Sequence, residues 1–200
     1  MKRAFDLLVA AAILLMTVPL FVVVAVLVKR SSPGPVFYRS QRVGRGGDTF
    51  GMVKFRTMVT GADRVGPLVT RAGDPRVTPI GGWLRRTKID ELPTLLNVLA
   101  GDMSLVGPRP ENPRSASLYT QTQRRLLTVR PGVTSPATIA FRHEEDLLSR
   151  STNVDADYFG IMQTKLQIEL DYLDRRSLFT DCAVLAGTAR AILLVRRVRL

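Results

Sequence analysis

RRTKIDELPTLLNVLAGDMSLVGPRP, residues Arg85 to Pro110, joins a basic cluster, two adjacent carboxylates, a short apolar periodicity and an arginine set between prolines. Ile89, Leu92, Leu95, Leu96 and Leu99 recur at three- and four-residue steps, which predicts a helix with one apolar face. Pro93 suits a first turn, where its missing N–H costs nothing, and Gly101 suits the stop. That register leaves Asp90 and Glu91 at the helix N-terminus, where free N–H groups and the macrodipole keep a carboxylate ionised and welcome a phosphate. Spacing alone leaves two readings open: a reactive pair, or an ordinary N-cap followed by a first-turn acid. Arg85, Arg86 and Lys88 lie upstream, and Arg109 follows Gly107 on backbone with little freedom. Cations on both sides of a carboxylate pair make a reasonable pocket for a substrate carrying several phosphates.

Two hundred residues suffice for one domain with a modest core. The formal charge of +12, from 29 Lys and Arg against 17 Asp and Glu, points to an anionic partner: nucleic acid, acidic lipid or a phosphorylated substrate. One class of protein that fits this composition is a membrane-tethered basic module that binds lipid or nucleic acid without catalysis. Against nucleic acid, the chain has no block of five or more Lys and Arg, and aromatics make up only 6%. Cys182 is the single cysteine, so an internal disulfide is excluded. With His143 the single histidine, no His/Cys zinc site can be assembled.

Leu7 to Val28 carries no charge, and only Thr17 and Pro19 interrupt its apolar character. As a straight helix it reaches roughly 33 Å, enough to cross a bilayer core. It is too long for a signal-peptide core, and no small-residue cleavage site follows. Lys2 and Arg3 at one end balance Lys29 and Arg30 at the other, whereas a spanning helix shows an excess of basic residues on its cytoplasmic side. Balanced flanks and a central Pro19 suit a hairpin that dips into one leaflet and returns, with the Thr17 hydroxyl available to the backbone at the bend. A kinked single span is the other arrangement these features permit.

Ser31 to Pro35 is a breaker cluster marking the exit from the membrane. Val36 to Val43 and Thr49 to Met58 are β-rich and separated by Gly44, Gly46 and Gly47, which reads as a hairpin. The glycines serve the turn, since no βα unit follows to make them a dinucleotide fingerprint. Strand periodicity places Lys54 and Arg56 on one face, either at a site or as charged edge protection. Thr60 to Gly82 reads as loop or short helix. Ser117 to Val129 is expected as a short helix, Thr134 to Arg142 as extended chain, and HEEDLLSR (from His143) as the start of another helix. Tyr158, Met162, Leu166, Leu170 and Leu173 keep one helical face. Leu178 to Val195 has an apolar stripe through Cys182, Leu185, Ala189 and Ile192. Asp181 and Arg190 oppose a second span there and favour a helix at the interface. The tail RRVRL adds charge for anionic headgroups.

The run LRRTKIDELPTLLNVLAGDMSLVGPRP resembles the core of the bacterial sugar transferases, the small monotopic phosphoglycosyl transferases. The likeness extends over almost the whole chain, from the membrane segment to RRSLFTDCAVL. It implies an α+β, mostly helical chain. A re-entrant membrane helix over residues 1–30, with both ends cytoplasmic, precedes residues 31–200. These form a compact cytoplasmic catalytic domain with a small β-hairpin and interfacial, amphipathic helices at the inner membrane. It implies transfer of a sugar-1-phosphate from a UDP-sugar to a polyprenyl phosphate. UMP is released and a surface glycan begun, with downstream glycosyltransferases as possible partners. Asp90 is then the nucleophile and Glu91 the Mg²⁺ ligand, and Lys54, in KFRTM, matches a lysine important in the family. Lys54, Arg56, Arg85, Arg109, Thr138 and Arg142 are the candidate substrate-binding residues. Two positions depart from the pattern. PGVTSPATI puts Thr138 where relatives often have glutamine, and Glu169 stands where many have aspartate.

Overall fold

The computed structural model describes residues 1–62, 65, 70, 73–142, 144–149 and 154–194. Helix α1, Lys2–Ser31, runs as one element through Pro19. The expected interruption therefore does not divide it. Pro19 withholds one N–H from the preceding turn, and the Thr17 hydroxyl donates to the carbonyls of Ile13 (2.7 Å) and Leu14 (3.2 Å) just before it. Within α1 only Asp6, Ala10, Val24 and Val28 are buried, while Leu8, Leu15, Met16, Val22 and Val23 are exposed. Its most apolar stretch is only 11% buried, so most of that surface needs lipid, and the chain associates with a membrane.

Both halves of α1 pack on the folded body. Ala10, with Phe5, Val9, Ile13 and Leu14 around it, joins Met52, Leu95, Val98, Met103 and Leu105 in the main core. Val24 and Val28, with Leu20 and Phe21, pack on Phe55 and Leu84, and the Phe21 and Phe55 rings lie 5.1 Å apart.

The expected hairpin is present. Strands β1, Phe37–Val43, and β2, Thr49–Phe55, pair antiparallel with Tyr38 opposite Lys54 and Arg42 opposite Phe50. β2 stops at Phe55, one residue before Arg56, so the period-2 face expected to carry both Lys54 and Arg56 does not reach that far. Helix α2, Pro79–Thr87, is capped by the Thr78 hydroxyl and crosses so close to the preceding loop that a Cβ on Gly81 would sit 2.0 Å from the Thr57 carbonyl oxygen.

The expected single helix from Ile89 is instead a 3-10 turn, Ile89–Glu91, followed by helix α3, Thr94–Ala100. Proline is the cause. Pro93 has no N–H for the Ile89 carbonyl, which takes the Leu92 N–H at 3.1 Å instead. Gly101 ends α3 with φ 102°, as expected of a left-handed cap. The apolar face is also rotated: Leu95 and Val98 are buried, but Leu96 and Leu99 are about 40% exposed. Asn97 faces inward in their stead. Its Oδ1 accepts from Val53 N–H (2.9 Å) and its Nδ2 donates to the Gly51 carbonyl (2.9 Å), docking α3 on β2.

Strand β3, Ser104–Val106, pairs in parallel with β4, Gly132–Thr134. Helix α4, Pro113–Ala116, and a 3-10 turn, Gln123–Thr128, occupy the stretch between them. Beyond Thr134, where extended chain was expected, Ser135 caps helix α5, Pro136–Ala140, with proline in its first turn. Helix α6, Glu144–Ser149, precedes α7, Val154–Asp174, whose Met162, Leu166 and Leu170 are buried on one face as expected. In α8, Leu178–Leu194, the inward face is Asp181, Val184 and Leu185, while Cys182, Ala189 and Ile192 of the expected stripe are exposed. Asp181 sets that rotation, being fully buried against the Lys2 ammonium and the Tyr172 hydroxyl. His143 and the RRVRL tail lie outside the described residues.

Candidate active site

The 3-10 turn before α3 carries Asp90 and Glu91, with Lys88 just ahead of it in the left-handed region at φ 58°. That conformation costs a non-glycine residue free energy, and the turn it opens brings Glu91 to β2 and to the loop after β3. Glu91 is clamped from two directions. Lys54 Nζ lies 2.7 Å from Oε1. Arg109 reaches it as a fork, with Nη2 2.7 Å from Oε1 and Nη1 3.3 Å from Oε2. The Thr94 hydroxyl closes the turn on the Glu91 carbonyl at 2.6 Å.

Asp90 is treated differently. It is 7% exposed, and its Oδ1 is buried without a hydrogen-bond partner among the described residues. Burial, reinforced by the neighbouring Glu91 charge, pushes its carboxyl above the ordinary range, with Lys54, Lys88 and Arg85 pulling the other way. Burial also acts to raise Glu91, but Arg109 and Lys54 outweigh it and hold that carboxyl well below its usual value. The pair therefore holds one firmly ionised carboxylate clamped by two cations and one basic carboxylate with an unengaged oxygen. The macrodipole expected to keep Asp90 ionised is not the governing influence, because Asp90 sits in a 3-10 turn ahead of α3 and burial dominates.

Of the other candidates, Arg85 is half-buried and close enough to lower the Asp90 pKa. Arg56 is not at the site. Its guanidinium is buried at the exit from α1, donating to the carbonyls of Pro35 (2.6 Å), Pro33 (2.8 Å) and Ser32 (2.8 Å) and to the Ser32 hydroxyl (2.6 Å). Thr138 is engaged in the cap of α5, its hydroxyl 2.9 Å from that of Ser135. Arg142 is exposed just beyond α5.

Three contributors were missed as site residues in the sequence. Asn97 holds β2, and with it Lys54, against the carboxylate turn. Arg42 shares the Lys54 face of the hairpin, which the register would have shown once the turn was fixed. Glu169, noted only as a departure, sits behind Arg109. It is 3% exposed, with Oε1 accepting the Arg109 N–H at 3.3 Å and burial raising its carboxyl to about 7.

A long apolar helix left largely exposed and joined to a cationic pocket around two carboxylates points to a membrane-associated enzyme suited to phosphorylated substrates. The chain belongs to the bacterial sugar transferase family, whose model matches residues 1–195. It is similar to the exopolysaccharide production protein ExoY of Rhizobium meliloti, with 37% identity over 98% of this chain and 86% of that one. It also resembles the UDP-glucose:undecaprenyl-phosphate glucose-1-phosphate transferase of Escherichia coli (38% identity, 92% of this chain, 38% of that protein). A third relative is the UDP-N-acetylgalactosamine-undecaprenyl-phosphate N-acetylgalactosaminephosphotransferase of Aeromonas hydrophila (34%, 96% and 43%). By that membership the chain is an enzyme, and the names of the Escherichia coli and Aeromonas hydrophila relatives state transfer of a sugar phosphate to undecaprenyl phosphate.

Proposed function

We propose that this chain transfers a sugar-1-phosphate from a UDP-sugar to undecaprenyl phosphate at the cytoplasmic face of the inner membrane, through a covalent intermediate on Asp90. The observation that carries the mechanism is the buried, unpartnered Oδ1 of Asp90 beside a Glu91 that absorbs both Lys54 and Arg109. A carboxylate oxygen that no cation engages by a hydrogen bond retains its nucleophilicity, which is what an attacking group needs. In the first step Asp90 Oδ1 attacks the phosphorus next to the sugar. The O–P bond forms as the bond to the bridging oxygen breaks, and UMP leaves with that electron pair. In the second step a phosphate oxygen of the lipid attacks the same phosphorus and returns Asp90 as carboxylate. Lys54, Arg109 and Arg85 neutralise the phosphate oxygens as charge moves between them.

The donor set also accommodates Mg²⁺ as an ion brought with the diphosphate. Glu91 Oε2 has a single 3.3 Å contact and so keeps lone pairs for a cation whose remaining ligands are phosphate oxygens and water. Once bound, the ion supplies positive charge to the diphosphate.

The topology we infer is re-entrant. Lys2 is bonded to Asp181 and to the Val106 carbonyl (3.1 Å), and Arg3 to the Met103 carbonyl (3.3 Å). At the other end of α1, Arg56 ties down Ser32, Pro33 and Pro35. A helix whose two ends bind one folded body supports both ends lying on the same side of the bilayer. The product is the lipid-linked sugar on which downstream glycosyltransferases would build exopolysaccharide or another surface glycan.

The test is UMP release from a panel of UDP-sugars in the presence and absence of polyprenyl phosphate. With lipid, turnover is expected for at least one sugar. Without it, about one equivalent of UMP per enzyme should appear and the phospho-sugar should be found on Asp90 by mass spectrometry. An adduct on another residue, or UMP release that requires both substrates together, overturns the covalent route through Asp90.

A further inference from the structure

Among the cations at this site, Arg42 has no role in the chemistry described so far. It projects from β1 on the face that β2 uses for Lys54, since the register sets Tyr38 against Lys54 and Arg42 against Phe50. Its Nε is buried and has no hydrogen-bond partner among the described residues. The charged and titratable groups facing it are Arg109, Glu111, Glu91 and Tyr158, with Lys54 on the neighbouring strand. Glu91 is already shared between Lys54 and Arg109, and no hydrogen bond links Arg42 to Glu111.

An arginine pressed against two other cations, with a desolvated donor left open, is an unfavourable arrangement for a protein at rest. Burial and the nearby Arg109 both lower its pKa. The arrangement becomes favourable when an anion with several acceptor oxygens enters, because the planar fork then meets a phosphate and the repulsion among Arg42, Lys54 and Arg109 is neutralised. The hairpin is pinned by Asn97 on one side and by Arg56 at its base, so Arg42 is held on a rigid element and not on a drifting loop.

We propose that Arg42 is a substrate-binding residue of this enzyme, donating from its guanidinium to a phosphate oxygen of the substrate. This rests on the transferase reading above and adds a phosphate contact to it. Two substrates of that reaction carry the required chemistry: the diphosphate of the soluble donor and the monophosphate of the lipid acceptor.

The experiment uses the full chain in lipid nanodiscs, as wild type, Arg42→Gln and Arg42→Lys. Binding of UDP with Mg²⁺, and separately of polyprenyl phosphate, is measured by calorimetry, and thermal unfolding is recorded without ligand. Arg42→Gln is expected to weaken at least one of the two ligands tenfold or more, with Arg42→Lys recovering part of the loss. Weakening confined to UDP assigns the contact to the donor diphosphate, and weakening confined to polyprenyl phosphate assigns it to the acceptor. The ligand-free melting temperature of Arg42→Gln should equal or exceed that of wild type, because a burden is removed and no protein bond is lost. A variant that binds both ligands within twofold of wild type overturns the proposal. So does one that loses binding together with a lowered ligand-free melting temperature, since that is the behaviour of a structural residue. A wild-type chain that binds neither ligand overturns the transferase reading itself, a result distinguishable from the failure of Arg42 alone.

Discussion

Glu169→Gln should make the protein more stable at alkaline pH and leave it little changed at acid pH. Glu169 is buried behind Arg109, with one carboxylate oxygen accepting the Arg109 N–H and the other unpartnered. Burial raises its carboxyl from the ordinary 4.5 to about 7. The folded chain thus binds this proton more tightly than the unfolded chain does. Stability then falls as pH rises through the window between those two values and levels off above it. A displacement of this size corresponds to about 3 kcal/mol at full deprotonation, most of it gained or lost between pH 5 and pH 8. Glutamine has no such dependence and can keep the Arg109 contact through its carbonyl oxygen. Any constant cost of the amide cancels when the two pH values are compared. The assay is thermal unfolding of both proteins in nanodiscs at pH 5 and pH 8. The advantage of the variant should grow by roughly 5–10 °C between the two. An advantage that is the same at both pH values, or that shrinks as pH rises, refutes the argument that Glu169 is a desolvated carboxylate.

Other expectations follow from the same contacts. Asn97→Ala removes both bonds between α3 and β2 and leaves the Val53 N–H and Gly51 carbonyl unpaired, so unfolding should be easier by about 2–3 kcal/mol, read by denaturant titration. Arg109→Lys keeps the charge but loses the fork on Glu91, and turnover should fall at least about tenfold with folding intact. Arg56→Lys should act on the fold, lowering thermal stability while KM for the UDP-sugar stays within twofold, because its partners are the carbonyls at the exit from α1. Cysteines placed at position 2 and just after Arg30, in a Cys182→Ser background, should react with an impermeant thiol reagent from the same side of the membrane. Labelling from opposite sides would remove the re-entrant topology.

The elements and their order were largely legible in the sequence because each has a local cause. Two β-rich runs around a glycine turn gave the hairpin, three- and four-residue spacing gave α7, and an uncharged apolar run gave α1. What could not be read locally was rotation about each helix axis. Leucine spacing put Leu96 and Leu99 inside α3, but the inward position belongs to Asn97, whose partners lie on a strand more than forty residues earlier. In α8 the stripe through Cys182 was equally regular, yet Asp181 turns inward because Lys2, at the far end of the chain, neutralises it. Apolar periodicity is a reliable guide when one face meets the core and the other meets water. It is a poor one when the outer face meets lipid, since apolar residues then occupy both. The site shows the same division. Asp90, Glu91 and Arg109 stand close in sequence and come together, whereas Arg56 follows β2 to the wrong end of the hairpin and Arg42 required the strand register.

That geometry makes anchor and chemistry one mechanical unit. Phe55 packs on Phe21 of α1, and Lys54, the residue before it, is bonded to Glu91. Successive strand residues point to opposite faces, so at this point β2 turns Phe55 toward the membrane helix and Lys54 toward the carboxylates within a rise of about 3.4 Å. The hairpin is fixed at its base by Arg56 and along its edge by Asn97, which leaves little freedom for the site to move relative to α1. A membrane-bound acceptor is confined to the depth at which its headgroup sits, and the soluble donor can approach from any direction. For the proposed reaction, a site rigidly coupled to α1 would be held at one height relative to that headgroup, and the fold would meet much of the entropy of bringing the lipid phosphate to the site. A flexible tether between α1 and the domain would give up that advantage. The buried polar contacts at both ends of α1 (Lys2 with Asp181, Arg56 with the Ser32 to Pro35 carbonyls) are costly to build in an apolar setting and make physical sense as the means of preventing it.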